Sequence, residues 1–183
     1  MFLLFRILFS LAAISIFAFH CKKNTAERIL EERESGSTIV LRNYTRISYN
    51  EKGVMLSRLK ANESYIYPTE KNTILYGIHY EQFDNGKFSN LVIGDRGTVN
   101  HTTKKLDLKG NVSVESKDKR VLKTESIFYD MEQKTIESND KVTILTDSTK
   151  IEGIGLRADQ NLNKYTILKP IGVTRGNANP LKK

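Results

Sequence analysis

The chain has 183 residues, with 29 Lys and Arg against 21 Asp and Glu, a formal net charge of +8 and a single cysteine, Cys21. One cysteine excludes an intrachain disulfide framework. At 39% hydrophobic residues and no Trp, the composition suits a thin sheet with one dry and one wet face better than a thick α/β core.

Residues 1–19 are apolar apart from Arg6, Ser10 and Ser15. A short n-region carrying Arg6 and an h-region over 7–19 make this a targeting or anchoring segment. Cys21 follows at once, as in a bacterial lipoprotein signal, with cleavage before it and lipid on its thiol. His20, where such signals usually carry a small residue, departs from that pattern. The rival is an uncleaved transmembrane helix, since about 19 residues suffice to cross a hydrocarbon core of about 30 Å. Both readings tether the chain to a membrane, outside the cytoplasm, through residues 1–21. Residues 22–36 are polar and charged and read as a tether.

Residues 37–49, STIVLRNYTRISY, are rich in β-branched and aromatic side chains and read as a strand. The turn at 50–53 returns the chain into a second arm over 54–61. From there one pattern recurs over 61–80, 94–114, 124–144 and 153–174. Aligning Ala61, Gly94, Thr124 and Gly153 gives spacings of 33, 30 and 29 residues. An apolar position lies five residues on in each copy: Ile66, Val99, Tyr129 and Ala158. A polar turn follows, then an apolar strand at Ile74, Leu106, Ile136 and Ile167. A kink comes next, at Gly77, Gly110, Asn139-Asp140 or Lys169-Pro170, and then Ile78, Val112, Val142 or Val173. In the second copy Leu106, Leu108, Gly110, Val112 and Val114 alternate with polar residues, the period of a half-buried strand.

Repeats of about 30 residues built from hairpins cannot bury their apolar faces alone and must stack. Kinks in mid-strand fold the sheet over. The expected fold is therefore all-β: an open β-jelly roll of stacked repeats over 37–176, behind an N-terminal anchor, with edge strands at both ends and a short flexible tail at 177–183. Chemistry is sparse. His20, His79 and His101 are scattered, no nucleophile elbow is present, and no spacing suggests a metal site. The chain reads as a non-enzyme with no cofactor. Basic residues are spread along the strands, with no aromatic-interleaved motif for nucleic acid.

The hairpin TRISYNEKGVMLSRLKA, followed by GDRGTVNHTTKKLDLKGNVSV, TESIFYDMEQKTIESNDKVTI and GIGLRAD, resembles the LptC family. These are membrane-anchored periplasmic components of lipopolysaccharide export, related to LptA-type bridge proteins. The resemblance covers residues 38–176 and rests on the ordered set of units rather than on one motif. It implies that lipopolysaccharide passes from an inner-membrane ABC transporter (subunits similar to LptB, LptF and LptG) through the jelly roll to an LptA-like bridge. In that light Tyr44, Ile47, Tyr49, Leu75, Leu106, Leu108, Val112, Ile136, Val142, Ile167 and Val173 are either core or lipid lining. Tyr44 and Leu75 would stand where lipid comes in and Ile167 where it leaves. Gly53 and Gly155 read as turn or bulge glycines, which the resemblance puts near the transporter and the bridge respectively. Cys21 would carry the lipid anchor. The alternative is a structural or adhesive surface lipoprotein that uses the repeat as scaffold.

Overall fold

The computed structural model describes residues 33–176. The expected anchor at 1–21, the tether up to residue 32 and the tail at 177–183 lie outside the described residues. Nine strands follow one another: β1 (Ile39–Tyr49), β2 (Met55–Tyr67), β3 (Asn72–Asp84), β4 (Lys87–Asn100), β5 (Lys105–Ser116), β6 (Val121–Asp130), β7 (Thr135–Leu145), β8 (Thr149–Asp159) and β9 (Tyr165–Arg175). They form a single antiparallel sheet in chain order, so each strand pairs with its sequence neighbours and β1 and β9 are the edges. The four repeats are the hairpins β2–β3, β4–β5, β6–β7 and β8–β9. The arm expected at 54–61 is not a separate strand, because β2 runs on through Ala61 into the first repeat.

A line of irregular pairing crosses the middle of the sheet and divides every strand into two arms. Asn43, Gly77, Gly110, Asn111 and Gly155 lie on it with positive φ. The register shifts between Ile93 and Arg96, Lys109 and Val112, Lys123 and Phe128, and Ser138 and Lys141. Gly110 (φ 78°) shows why the sequence bends there. A Cβ on it would lie 2.6 Å from Asp95 Oδ2, so only glycine lets the neighbouring strand come so close. Asn111 (φ 48°), a residue type that tolerates the left-handed region, donates Nδ2 to the same Asp95 oxygen at 2.7 Å. Farther along the line Ser126 Oγ donates to Asp140 Oδ2 at 2.5 Å, and Thr124 Oγ1 lies 3.1 Å from Ser138 Oγ. Polar side chains thus take up the backbone and side-chain groups that the broken ladder leaves over.

Bending along this line lays one leaf of the sheet over the other. Side chains from the two leaves meet in a single apolar cluster that includes Leu75, Ile78, Leu108, Val112, Val114, Leu122, Ile127, Val142, Ile144 and Leu156. The turns at one end of the strands form a staircase. The N–H groups of His101, Met131 and Gln160 donate to the carbonyls of Lys71, Lys104 and Lys134 in the preceding turn, at 2.8, 3.0 and 2.9 Å. Asn100 and Asp130 open two of these turns with side-chain oxygens that accept the next backbone N–H groups.

Candidate functional site

The inner face of the folded sheet carries the apolar residues of the repeat. Its middle is tightly packed: Leu108, Val114, Leu122, Val142, Ile144 and Leu156 have no exposure. Room for them comes from small residues on β4. A Cβ on Gly94 or Gly97 would come within 2.7 Å of Leu108 Cδ1 or Ile78 Cδ1.

The same face opens toward the two edge strands. On β1, Ile39 pairs with Ile66 and is 43% exposed. On β9, Val173 pairs with Ile151, which pairs with the fully buried Ile144, so Val173 shares the core face while being 59% exposed. Ile167 pairs with Leu156 and is half-buried against the core. A cleft of about 600 Å³ runs along β7–β9, lined in part by Ile136, Ala158, Tyr165, Arg157 and Lys164. A second cleft, of about 370 Å³, lies at the bend beside Tyr44, Ala61, Gly77 and His79.

Of the residues expected on the inner face, Leu75, Leu108, Val112, Ile136 and Val142 are buried in the core, and Tyr44, Leu106 and Ile167 pack against it. Ile47 and Tyr49 do not join them. The bend at Asn43 shifts β1 by one residue, so beyond it the even-numbered positions face inward, beginning with Tyr44. Ile47 pairs with Arg58, one step off the inward Leu59, and faces out at 42% exposure. Tyr49 ends the strand past a further register shift and is 58% exposed. Gly53 sits in the β1–β2 turn with nothing within 4 Å of where a Cβ would be, and Gly155 lies on the bend line beneath Leu168. Cys21 lies outside the described residues.

Two features escaped the sequence reading. The first is an outer clamp, where residue 34 meets the sheet. Glu34 Oε1 accepts from Tyr76 OH at 2.5 Å and from Arg96 Nη2 at 2.9 Å, and the Ser35 carbonyl accepts from Tyr67 OH at 3.2 Å. The hydrogen bond from Tyr76 does most to hold the Glu34 carboxyl below the usual carboxylate range; burial opposes it and Arg96 adds to it. A charged run such as ESGS offers no signal of this contact, because both partners come from strands read only for their alternation. The second is the β8–β9 loop, which ties the two leaves together through Asn161 and Asn163. Its signal was present: that loop has one residue more than the turns at 68–71, 101–104 and 131–134, and it places a leucine between two asparagines.

Among the described residues no group of three or more His, Cys, Asp or Glu could hold a metal ion, and no helix is long and apolar enough to cross a membrane. What the arrangement offers chemically is an apolar surface folded on itself and two strand edges.

Comparison with known proteins agrees with this geometry. Among the solved structures, LptH of Pseudomonas aeruginosa, the LptA homologous periplasmic component of the conserved lipopolysaccharide transport device, is similar in fold. It superposes with a TM-score of 0.50 at 14% identity, covering 65% of this chain and 92% of that one. No curated protein sequence matches. The model of the family described as LptC, lipopolysaccharide-assembly, LptC-related, matches residues 5–173. With nearly the whole length matched and the expected folded sheet in place, the chain belongs to the LptC-related family of lipopolysaccharide-assembly proteins.

Proposed function

We propose that this protein is a membrane-anchored periplasmic carrier of lipopolysaccharide, taking the lipid from an inner-membrane ABC transporter and passing it to an LptA-like bridge. The observation that carries this reading is the inner face: mostly apolar, sealed in its middle, and exposed at Ile39 and Val173 on the two edge strands. Moving each CH₂ of an acyl chain from water onto such a surface gains about 0.8 kcal/mol, so a long apolar track holds several chains without any covalent step. The edges supply the second requirement. The outer backbone groups of β1 and β9, which no strand among the described residues pairs, can add a neighbour's strand and continue the inner face from one protein to the next. Residues 1–21 serve as the anchor, through lipid on Cys21 or as an uncleaved helix, 22–36 as the tether and 37–176 as the carrier domain. The lipid contacts assigned to the inner face are Tyr44, Ile167 and Val173 on its accessible parts, and Leu75 beneath them, which lipid reaches when the leaves part.

Photo-crosslinking in cells from Leu75 or Ile167 tests this directly. Lipopolysaccharide adducts are expected at both. Labelled, folded protein without a lipid adduct at either position refutes the carrier role. Co-purification of transporter subunits with the anchored protein separates an export link from an adhesin, which would come away alone.

A further inference from the structure

The β8–β9 loop, 160–164, departs from its counterparts. The turns at 68–71, 101–104 and 131–134 each place a lysine in the left-handed region: Lys71 (φ 53°), Lys104 (φ 54°) and Lys134 (φ 56°). In the fourth, the left-handed residue is Leu162 (φ 56°). Its side chain has no exposure and belongs to the core cluster with Leu108, Leu122 and Leu156. Leucine is uncommon in that conformation. Here Asp159 holds it: Oδ1 accepts the N–H groups of Asn161 and Asn163 at 2.9 and 3.0 Å, and Oδ2 that of Lys164 at 2.9 Å.

The residues flanking Leu162 reach the opposite leaf. Asn161 Oδ1 accepts from Asn90 Nδ2 at 2.8 Å and from Ser89 Oγ at 3.2 Å, and Asn163 Oδ1 accepts from Arg120 Nη1 at 2.5 Å. Asn90 also donates to Gln82 at 3.1 Å, and its own Oδ1 is buried with no hydrogen-bond partner among the described residues. The strand ladder ends at Ala158 and Tyr165, and backbone bonds from Gln160 to Lys134 and from Asp159 to Lys164 fix the two ends of the loop, so 161–163 can swing between them without breaking a strand pair.

We propose that the 160–164 loop is a latch on the trough, and that Leu162 keeps the place of an acyl chain. With the latch shut, a branched alkyl group of the protein fills the apolar site. With it open, the strained backbone at Leu162 relaxes, Asn161 exchanges its side-chain partners for water, and a lipid acyl chain takes the vacated volume. The inference rests on the carrier role proposed above and assigns it a loading site in this part of the chain.

The test uses the full chain in detergent with purified lipopolysaccharide and a benzophenone side chain at Tyr80 or Tyr44. Tyr80 adjoins Gln82, part of the latch network, and Tyr44 lies on the first strand. Leu162→Ala and Asn161→Ala are each expected to raise the lipid adduct at Tyr80 several-fold and to leave that at Tyr44 unchanged. Adducts at Tyr44 with an unchanged Tyr80 yield in both variants overturn the latch. No adduct at either position in any variant overturns the carrier role and the acyl placeholder together. Amide hydrogen exchange then decides the latch by itself: faster exchange over 82–90 and 160–164 in Asn161→Ala supports it, and unchanged exchange overturns it.

Discussion

Glu34 and Arg96 stand 62 residues apart in the chain and meet at 2.9 Å through Oε1 and Nη2, with the Tyr76 hydroxyl on the same carboxylate oxygen. The guanidinium also lies 5.8 Å from the centre of the Tyr76 ring, which meets Tyr65 edge-on. The clamp is part-exposed, at 38% for the arginine side chain and 20% for the glutamate, so solvent screens it. Arg96→Ala should therefore cost about 1 kcal/mol, or about 3–5 °C in Tm, read by thermal unfolding.

The same contact gives an acid dependence with a definite sign. The folded-state pKa of Glu34 is lowered, chiefly by the Tyr76 hydrogen bond, so the unfolded chain takes up that proton first as pH falls. The contribution is full above the ordinary glutamate pKa and is lost as pH drops through the lowered value. His101 acts in the same direction. Burial and the charges of Lys104 and Arg46 lower its pKa, so its contribution is full above the ordinary histidine value and fades on acidification. Urea unfolding of wild type against Glu34→Gln should show the variant losing less stability between neutral pH and pH 4, and equal losses would contradict the clamp.

The bend line predicts a graded series of glycine substitutions. Gly53, Gly77 and Gly110 all have φ above 60°, so replacing any of them with alanine forces a left-handed alanine, at about 1–2 kcal/mol. At Gly53 that is the whole effect, because nothing lies within 4 Å of the new Cβ. At Gly77 the Cβ would meet the Asn62 side chain and at Gly110 that of Asp95, in each case closer than 3 Å. Gly77→Ala and Gly110→Ala should therefore cost about 3 kcal/mol or more, against the smaller loss at Gly53. Equal losses by urea unfolding would show that close approach of the strands plays no part.

In the core, Leu108 fills the space that Gly94 leaves. Leu108→Ala should cost about 2–5 kcal/mol, and Gly94→Ala should also destabilise, by overpacking. The double variant should be more stable than the sum of the two losses implies, since each change relieves the other. Strict additivity in a double-mutant cycle would contradict the packing described.

Much of this fold was legible because the repeat is written in its apolar alternation. Leu106, Leu108, Val112 and Val114 keep one parity through the bend and were placed correctly. In β1 the bend at Asn43 inserts one residue and reverses the parity, and an asparagine without a glycine beside it in NYTRISY permits a left-handed residue but does not demand one. Alternation alone therefore puts Ile47 and Tyr49 on the inner face, whereas they lie outside or at its end. Long-range polar contacts were not legible at all. Glu34 and Arg96 are joined although their sequence neighbourhoods say only that they are polar, and the length of the 160–164 loop marks it as different without naming Asn90 as the partner of Asn161. The inner face as a surface could be read from the sequence, whereas its sealed middle, open ends and fastened loop depend on how the leaves meet.

Ile47 and Val173 separate lipid carriage from mere surface hydrophobicity. Both are aliphatic, both lie on edge strands, and both are exposed, at 42% and 59%. They differ in facing: Val173 shares its face with Ile151 and Ile144, whereas Ile47 shares its face with Arg58 and Glu81. A photo-reactive side chain at Val173 should therefore give lipopolysaccharide adducts in cells, while the same group at Ile47 should give none above background. Because solvent reaches both positions, reagent access cannot produce that difference. Equal yields would mean that lipid meets exposed apolar groups wherever they stand, and the inner face would then have no claim to be the track.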